Sequence, residues 1–233
     1  MIDHVANSYC YRYPHPAVTT DAVIFTISEN KLRLLLIKRG AEPYKDAWAI
    51  PGGFLEINED LDECARRELQ EETGLENIYL EQLHAFGTPN RDPRERVITV
   101  AYYAITPNVD MQPTAASDAS DAEWFSIDQL PELAFDHDKI IDMAHNRLKF
   151  NLDYSAIAFQ FLPETFTLSE AQKVYEIIRN SRLDKRNFRK SIINSGLIKE
   201  TGNMRRNGKH RPARLYQIAD DNRLQSINCK QTY

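Results

Sequence analysis

The stretch "ARRELQEETGL", residues 65–75, places three glutamates within little more than one helical turn, with Arg67 beside them. Successive residues of an α-helix are separated by about 100° around its axis, so the face of each side chain follows from its position. The stripe that should pack inward consists of Leu61, Cys64, Ala65 and Leu69. Glu68 and Glu72 fall in the middle of this apolar stripe, where carboxylates are not expected.

These inward-facing acids need compensating charge. A partly desolvated carboxylate is costly unless a positive group meets it, and Glu71 adds a third negative charge at the edge of the same face. Arg67 lies four residues before Glu71 and neutralises only part of this charge. A divalent cation such as Mg²⁺ or Mn²⁺ would balance the rest, because it prefers oxygen ligands and commonly bridges protein to substrate phosphates. The alternative is an acidic helix face that is simply solvated.

The surrounding residues 52–75, "GGFLEINEDLDECARRELQEETGL", match the pattern G-x5-E-x7-R-E-U-x-E-E-x-G-U, in which U is aliphatic. The constrained positions are Gly53, Glu59, Arg67, Glu68, Leu69, Glu71, Glu72, Gly74 and Leu75. This pattern is the Nudix box, and the chain resembles Nudix hydrolases. The resemblance implies an α/β/α sandwich and metal-assisted attack of water on a diphosphate joined to a variable group.

The same resemblance assigns roles within the box. It implies a catalytic set of Glu59, Arg67, Glu68, Glu71 and Glu72. It implies metal ligation by Glu68, Glu71, Glu72 and Gly52. The general base stays open between an acid of the box and a distant loop acid, for which the candidates are Asp110, Asp118 and Asp121.

Local chemistry explains the other box positions. Gly52 and Gly53 follow Pro51 in a turn, where the missing side chains let backbone approach a metal or a phosphate. Gly74 suits a left-handed cap at the end of the helix. Asn58 is the predicted N-cap.

The loop "TPNRDPRERV", residues 88–97, is a candidate substrate contact. A proline shortly after the box resembles the arrangement in Nudix enzymes that act on ADP-ribose. The predicted substrate-binding residues are Arg39, Arg91, Arg94 and Arg96. The alternative is a turn with solvated arginines. His84 and His137 lack metal-ligand spacing and are predicted to be structural.

Composition sets the broad class. The chain has 233 residues, of which 42% are hydrophobic, so it can bury a sizeable core. It has no run of about 18 apolar residues and no signal-like N-terminus, and we therefore expect a cytoplasmic protein without a membrane segment. Its three cysteines are far apart, which indicates neither a disulfide framework nor a zinc site.

Charge is divided unevenly along the chain. Residues 1–154 carry a net charge of −13, whereas residues 155–233 carry +8. A basic tail on an acidic body favours a polyanionic partner. We take this boundary as the domain boundary, with an α/β Nudix domain at 1–154 and a small basic domain at 155–233.

The elements of the first domain follow from its patterns. Strands are predicted at "AVTTDAVIFTI" and "KLRLLLIKR" around the turn "SENK", and at "NIYLEQLHAFG" and "RVITVAYYAI" after the box. The section "PNVDMQPTAASDASD" is predicted to be a surface loop. A helix is predicted at "DHDKIIDMAHNRLKF", and its packing residues are Ile140, Ile141, Met143 and Leu148.

The second domain has the pattern helix, helix, hairpin. "TLSE" is a capping box that opens the first helix. The second helix begins near Asp184, with Phe188, Ile192 and Ile193 predicted to pack inward and Gly196 closing it. "LIKETGNMRRNGKHRPARLYQI" is predicted to form two short strands with a basic tip.

This order resembles a winged helix, which would place the second helix in the major groove of double-stranded DNA and the hairpin on phosphates. The predicted DNA-binding residues are Lys185, Arg186, Asn187, Arg189, Lys190, Arg205, Arg206, Lys209 and Arg211. The alternative is a basic surface that aids solubility or docks on the acidic first domain.

The whole chain resembles the Nudix-related transcriptional regulators of NAD and sugar metabolism, many of which have damaged boxes; here every box acid is present. We expect a Mg²⁺-dependent (or Mn²⁺-dependent) pyrophosphohydrolase of ADP-ribose or a related nucleotide sugar that also binds DNA. The second hypothesis is a regulator that senses such a ligand with little turnover. A homodimer is expected by analogy alone.

Overall fold

The central sheet starts with the predicted hairpin. A computed structural model describes residues 12–75, 78–107, 119–206 and 212–219. In it, β1 (Ala17–Ser28) pairs antiparallel with β2 (Lys31–Arg39). Glu29 and Asn30 link the strands with φ of 50° and 61°, as a two-residue turn that matches the strand twist requires.

Five further strands complete this sheet: β3 (Trp48–Ala49), β4 (Gly52–Phe54), β5 (Tyr79–Phe86), β6 (Val97–Ile105) and β7 (Ala119–Ser126). The order is β3-β2-β1-β6-β5, with β4 paired to β1 and β7 paired to β2. Only the β1–β6 pair is parallel among these described pairs. The predicted loop 107–121 is wrong at its end, because Ala119 already belongs to β7; residues 108–118 lie outside the described part.

Helix α1 (Leu61–Thr73) covers one face of the sheet. Asp60 caps it, in a capping box with Glu63, so the prediction of Asn58 as N-cap is wrong. The Asp60 side chain bonds the free amides of the first turn, which begins two residues later than predicted. Gly74 ends the helix with φ 70° and ψ 8°, which confirms the left-handed cap.

Helix α2 (His137–Asn151) covers the opposite face. Ile140, Ile141 and Leu148 are buried as predicted. The prediction that Met143 packs inward is wrong, because this residue is 36% exposed on the solvent side of the helix. Eight consecutive residues in the middle of β1 are buried, which is expected for a strand covered on both faces. The α/β/α sandwich is therefore confirmed.

A 3₁₀ segment (Ile157–Phe161) leads into the second part of the chain. This part contains α3 (Leu168–Arg179), α4 (Lys185–Asn194), β8 (Ile198–Arg205) and β9 (Ala213–Ile218). The capping box of Thr167 and Glu170 is confirmed. In α4, Phe188 and Ile192 are buried, but Ile193 is 51% exposed, and its predicted inward packing is wrong.

The winged-helix prediction is confirmed: β8 and β9 form the hairpin, and Phe166 pairs with Tyr216 through two backbone hydrogen bonds. One hydrophobic cluster runs from the sheet through α2 and the 3₁₀ segment to α3 and α4. The boundary at 154/155 crosses this shared cluster and stays a prediction. Within the described ranges, none of the helices has the length and apolarity to span a membrane.

Candidate functional site

A cleft that opens over α1 and the first sheet strands encloses about 530 Å³. It is lined by acids of α1, by the glycines of β4 and by arginines of β2 and the loop before β6. The predicted residues that line it are Arg39, Gly52, Arg67, Glu68, Glu71, Glu72, Arg91 and Arg94. Glu59 and Arg96 are not among the lining residues.

Arg67 organises the acidic face of the cleft. Its Nη2 donates to Oε1 of Glu59 at 2.6 Å and its Nε to Oε2 at 3.0 Å, a two-point contact. This contact lowers the pKa of Glu59 to about 2 and raises the pKa of Arg67. From Nη1, Arg67 donates to Glu68 at 2.7 Å and to Glu71 at 3.3 Å. Glu59 therefore fixes the orientation of Arg67, and Arg67 in turn contacts the cleft acids Glu68 and Glu71.

Glu68 lies against the glycine turn. Burial raises its pKa, although Arg67 opposes this shift. A side chain at position 53 would overlap the Glu68 carboxylate, so it would displace that carboxylate from its place in the cleft. Glu71 is half-exposed at the rim.

Glu72 is the deepest acid of α1, with 7% of its surface exposed. Its Oε2 accepts a hydrogen bond from the amide of Gly52 at 2.7 Å. Burial raises its pKa to about 8, and the nearby charges of Glu68 and Asp21 add to the effect. A side chain at position 52 would overlap the backbone of Thr20 and Asp21, so glycine is required there.

Asp21 is a buried cleft residue that the sequence analysis missed. It lies in β1 directly opposite Gly52 and lines the cleft. Arg91 is its ion partner at 3.6 Å. The available signal was a single charged residue within the apolar strand "AVTTDAVIFTI".

The donor set of the cleft suits a hard divalent cation. Its carboxylates supply oxygen ligands, and burial raises the pKa of Glu68 and Glu72, so a bound cation would favour their charged forms. Within residues 12–75, 78–107, 119–206 and 212–219, no three acidic, His or Cys side chains already form a metal cluster. In the described structure, Glu68 accepts a hydrogen bond from Arg67, and Glu72 accepts one from the Gly52 amide.

The predicted substrate arginines differ in their surroundings. Arg91 is buried and donates to Asp136 at 2.7 Å and 3.3 Å, which ties the cleft to the first residue before α2. Arg96 donates to the carbonyls of Thr88 and Val97 at 3.3 Å and 3.4 Å. Arg91 is thus placed to position the cleft, whereas Arg96 braces its own loop.

Arg39 and Arg94 form a wall with two aromatic rings that the sequence analysis also missed. The Arg94 guanidinium lies 5.1 Å from the Phe54 ring centre and 5.7 Å from that of Phe135. Arg39 lies 4.8 Å from the Phe135 ring centre. Burial and the charge of Arg94 lower the pKa of Arg39. Such a wall offers cations and flat surfaces to an anionic ligand with rings.

Arg94 is held by Asp92, whose carboxylate accepts from both its backbone and its side chain. Burial alone would raise the pKa of Asp92, but these hydrogen bonds outweigh it and lower that pKa. The contact fixes the guanidinium at the cleft.

The histidines and the loop acids have other settings. Nδ1 of buried His137 accepts the Ile50 amide at 3.1 Å, a structural contact at the cleft edge. His84 is exposed and packs on Phe86. Asp121 lies in β7, outside the cleft, and accepts the amide of its neighbour Ala122. Asp110 and Asp118 lie outside the described residues.

The basic surface of the second part centres on α4. The exposed members of the predicted DNA-binding set are Lys185, Arg186, Asn187, Lys190 and Arg206. Arg189 is partly buried and donates to Ser169 at 3.4 Å, and Arg205 pairs with Glu170. Lys209 and Arg211 lie outside the described residues. The first turn of α4 contains no acid, although Asp184 caps it.

Two family models match the chain. Residues 18–144 match the model described as NUDIX domain, and residues 158–218 match the model described as NrtR DNA-binding winged helix domain. The matched segments coincide with the sandwich and with the helix–helix–hairpin unit.

Named relatives match the same two parts. The chain is 39% identical over 211 residues to the "ADPR responsive transcriptional repressor NtrR" of Acinetobacter baylyi, covering 89% of this chain and 84% of the relative. It is 43% identical over 129 residues to the "ADP-ribose pyrophosphatase" of Methanocaldococcus jannaschii, covering 55% of this chain and 73% of the relative. A solved structure of Shewanella oneidensis NrtR with a 27mer DNA is 34% identical, with a TM-score of 0.77, and the match covers 88% of this chain and 94% of that one.

Proposed function

Because this chain belongs to the Nudix family and carries an NrtR-type winged helix, we propose that it hydrolyses ADP-ribose or a related nucleoside diphosphate sugar and also binds DNA. The observation that carries the hydrolytic part is the intact acidic face of α1, with Glu72 buried at the bottom of the cleft. A repressor and a pyrophosphatase among the relatives support both parts. The proposed compartment is the cytoplasm, and the proposed assembly is a homodimer.

Nudix hydrolases generally use divalent metal ions. We propose Mg²⁺, held by the carboxylates of Glu68, Glu71 and Glu72 and by the backbone of Gly52. When bound, such an ion screens phosphate charge and lowers the pKa of the attacking water. Asp21 supplies further negative charge beside this set.

The chain's own residues bind and orient the substrate. Arg39 and Arg94 would contact the diphosphate, because both face the cleft and present fixed N–H donors. Phe54 and Phe135 provide flat apolar surface beside these cations. Arg91 positions the wall through Asp136 rather than offering a free guanidinium. The general base stays open between Glu71, which is at the rim, and an acid outside the described residues.

Hydrolysis is tested by adding ADP-ribose and Mg²⁺ and measuring its cleavage with a phosphate-coupled assay. Glu72→Gln removes, at nearly constant volume, the carboxylate that would bind the cation, and we expect activity to fall about a thousandfold, which corresponds to several kcal/mol of lost transition-state stabilisation. The matched control is Glu123→Gln, an exposed acid of β7, which should leave activity unchanged. Unchanged activity in Glu72→Gln would remove the metal-helix assignment.

The test of DNA binding is a gel shift with promoter DNA at low salt, with and without ADP-ribose. Arg186 is exposed on α4, and Arg186→Ala should weaken binding and reduce the salt dependence by about one ion. Lys139→Ala, on α2, is the control. Binding that ADP-ribose alters in a protein without measurable turnover would favour the second hypothesis, a ligand-sensing regulator.

A further inference from the structure

A buried arginine beside the cleft lies within reach of two carboxylates. Nη2 of Arg91 donates to Oδ1 of Asp136 at 2.7 Å and lies 3.6 Å from Oδ2 of Asp21. Nε of the same guanidinium donates to Oδ2 of Asp136 at 3.3 Å, which makes the contact with Asp136 a two-point contact. Each of the three residues is at most 9% exposed. Arg91 is therefore hydrogen-bonded to Asp136, whereas Asp21 stays at a longer distance.

Asp21 is the acid of this group that lines the cleft; Asp136 lies behind Arg91 and does not line it. Among the described residues, the Asp21 carboxylate accepts no hydrogen bond, and its ion partner is Arg91. Buried carboxylates are normally hydrogen-bonded or paired at close range, because desolvation disfavours their charge. The charge of Asp21 is thus only partly compensated and remains available to a cation in the cleft.

One glycine separates Asp21 from the deepest acid of α1. Asp21 is opposite Gly52 in the pairing of β1 with β4, and a Cβ at position 52 would lie 2.6 Å from Oδ1 of Asp21. On its other side, the Gly52 amide donates to Oε2 of Glu72 at 2.7 Å. The charge of Asp21 would therefore attract a cation held by Glu72 and the Gly52 backbone.

Asp136 is fixed in place at the start of α2. Its neighbour His137 accepts the Ile50 amide through Nδ1 at 3.1 Å, which attaches this turn to the backbone at the cleft edge. The Asp136 side chain makes no capping hydrogen bond to α2, so both of its oxygens are available to Arg91. Asp136 thus holds the guanidinium and does not cap the helix.

We infer that Asp136 is a positioning residue for the cation site, which acts by keeping Arg91 from neutralising Asp21. This inference rests on the proposed divalent-cation site of α1. In the parent protein, Asp136 compensates most of the Arg91 charge, and Asp21 adds its own charge to the cleft. Without the charge of Asp136, the buried guanidinium turns to Asp21, because that carboxylate already lies 3.6 Å away.

The test compares the full-length protein with Asp136→Asn, which keeps an oxygen acceptor but loses the charge. Mn²⁺ uptake, followed by electron paramagnetic resonance of the free ion, should weaken about fivefold, within the range for residues coupled in one charge network. ADP-ribose binding with chelator present, followed by isothermal titration calorimetry, should strengthen, because a neutralised Asp21 repels the diphosphate less. Asp138→Asn, which removes an exposed acid of the same helix turn, is the control and should change neither.

The opposite signs of these two effects separate positioning from a structural role. A cleft that is merely loosened would bind both ligands more weakly, and that result would overturn the inference. Mn²⁺ uptake that is the same in Asp136→Asn and the parent protein would overturn the inference alone. No uptake by the parent protein would overturn the proposed cation site and this inference with it.

Two further variants test whether Asp136 acts through its neighbours. In an Arg91→Gln background, adding Asp136→Asn should change Mn²⁺ uptake much less than it does in the parent protein. An undiminished effect there would contradict the inference, because Asp136 would then act on the cation without Arg91. Asp21→Asn gives an answer even if Asp136→Asn does not fold: its Mn²⁺ uptake should also weaken, and unchanged uptake would rule out the role assigned to Asp21.

Discussion

Helices α1 and α4 each carry a cluster of like charge, but they place it in opposite ways. On α1 the acids face inward, where Glu72 is buried and Glu68 is held by Arg67. On α4 the cations face outward, and Lys185 and Arg186 are exposed. Charge that is partly desolvated inside a cleft suits a small, highly charged ligand, whereas exposed charge on a helix suits a large polyanion.

The difference also sets what each cluster costs the folded protein. Burial raises the pKa values of the acids on α1, because it destabilises their charged forms unless a cation is bound. Exposed cations destabilise the folded protein little, because water screens their charge. The two helices therefore predict different responses to pH, to substitution and to salt.

The largest expected effect is the pH dependence of stability in chelator-treated protein. The pKa of Glu72 rises from 4.5 to about 8 on folding. A raised pKa contributes stability that is complete below the unfolded value and is lost as pH rises through the folded value. We expect the free energy of unfolding to fall between about pH 5 and about pH 8, by at most about 5 kcal/mol.

Urea unfolding at the two pH values measures this effect, and Glu72→Gln is the comparison. In that variant the contribution of position 72 to the slope should vanish. An identical slope in both proteins would mean that Glu72 is not protonated by burial in the folded protein, and α1 and α4 would then not differ in this respect.

A second, smaller effect concerns the way α1 is braced. Arg67→Lys keeps the charge but loses the planar fork that contacts Glu59 at two points. We expect ADP-ribose cleavage to fall about a hundredfold, because the cleft acids are no longer held in place. Steady-state kinetics would measure it, with Arg66→Lys on the outer face of the same helix as control. Equal activity of the two variants would contradict the bracing role.

The smallest effect is expected at the winged helix. Arg205 forms an ion pair with Glu170, and the Glu170 carboxylate partly neutralises the charge that Arg205 can offer to DNA. Glu170→Gln keeps an acceptor for the Thr167 amide but removes the ion partner, so DNA affinity should rise about twofold at low salt. Fluorescence anisotropy would detect it, with exposed Glu164→Gln as control. Weaker binding in Glu170→Gln would show that the pair orients Arg205 for DNA.

Sequence patterns sufficed wherever local spacing decided the outcome. The burial of Ala65 and Leu69 and the left-handed Gly74 follow from helical geometry within one segment. The capping residue did not follow, because Asn58 and Asp60 are both acceptable caps and the reciprocal bond of Glu63 decides between them. The predicted burial of Ile193 was wrong because this residue lies about 100° around the helix from Ile192, outside the stripe that Phe188 and Ile192 form.

The rest of the cleft depends on contacts between distant segments. Asp21 meets Arg91 only because β1 lies beside the strand that follows the loop, and Arg91 meets Asp136 across 45 positions of sequence. Phe135 reaches the cleft from the turn before α2. No local sequence pattern predicts such long-range contacts. The arginines could therefore be proposed as candidates, but neither their ion partners nor their burial could be predicted.

The central claim is that the inward-facing acids of α1 form a divalent-cation site. Manganese titration of the full-length protein, followed by electron paramagnetic resonance of the free ion, tests it most directly. The account predicts saturable Mn²⁺ uptake that strengthens with ADP-ribose and is lost in Glu72→Gln but kept in Glu123→Gln. Equal Mn²⁺ uptake by Glu72→Gln and the parent protein, or no uptake even with nucleotide present, would contradict it.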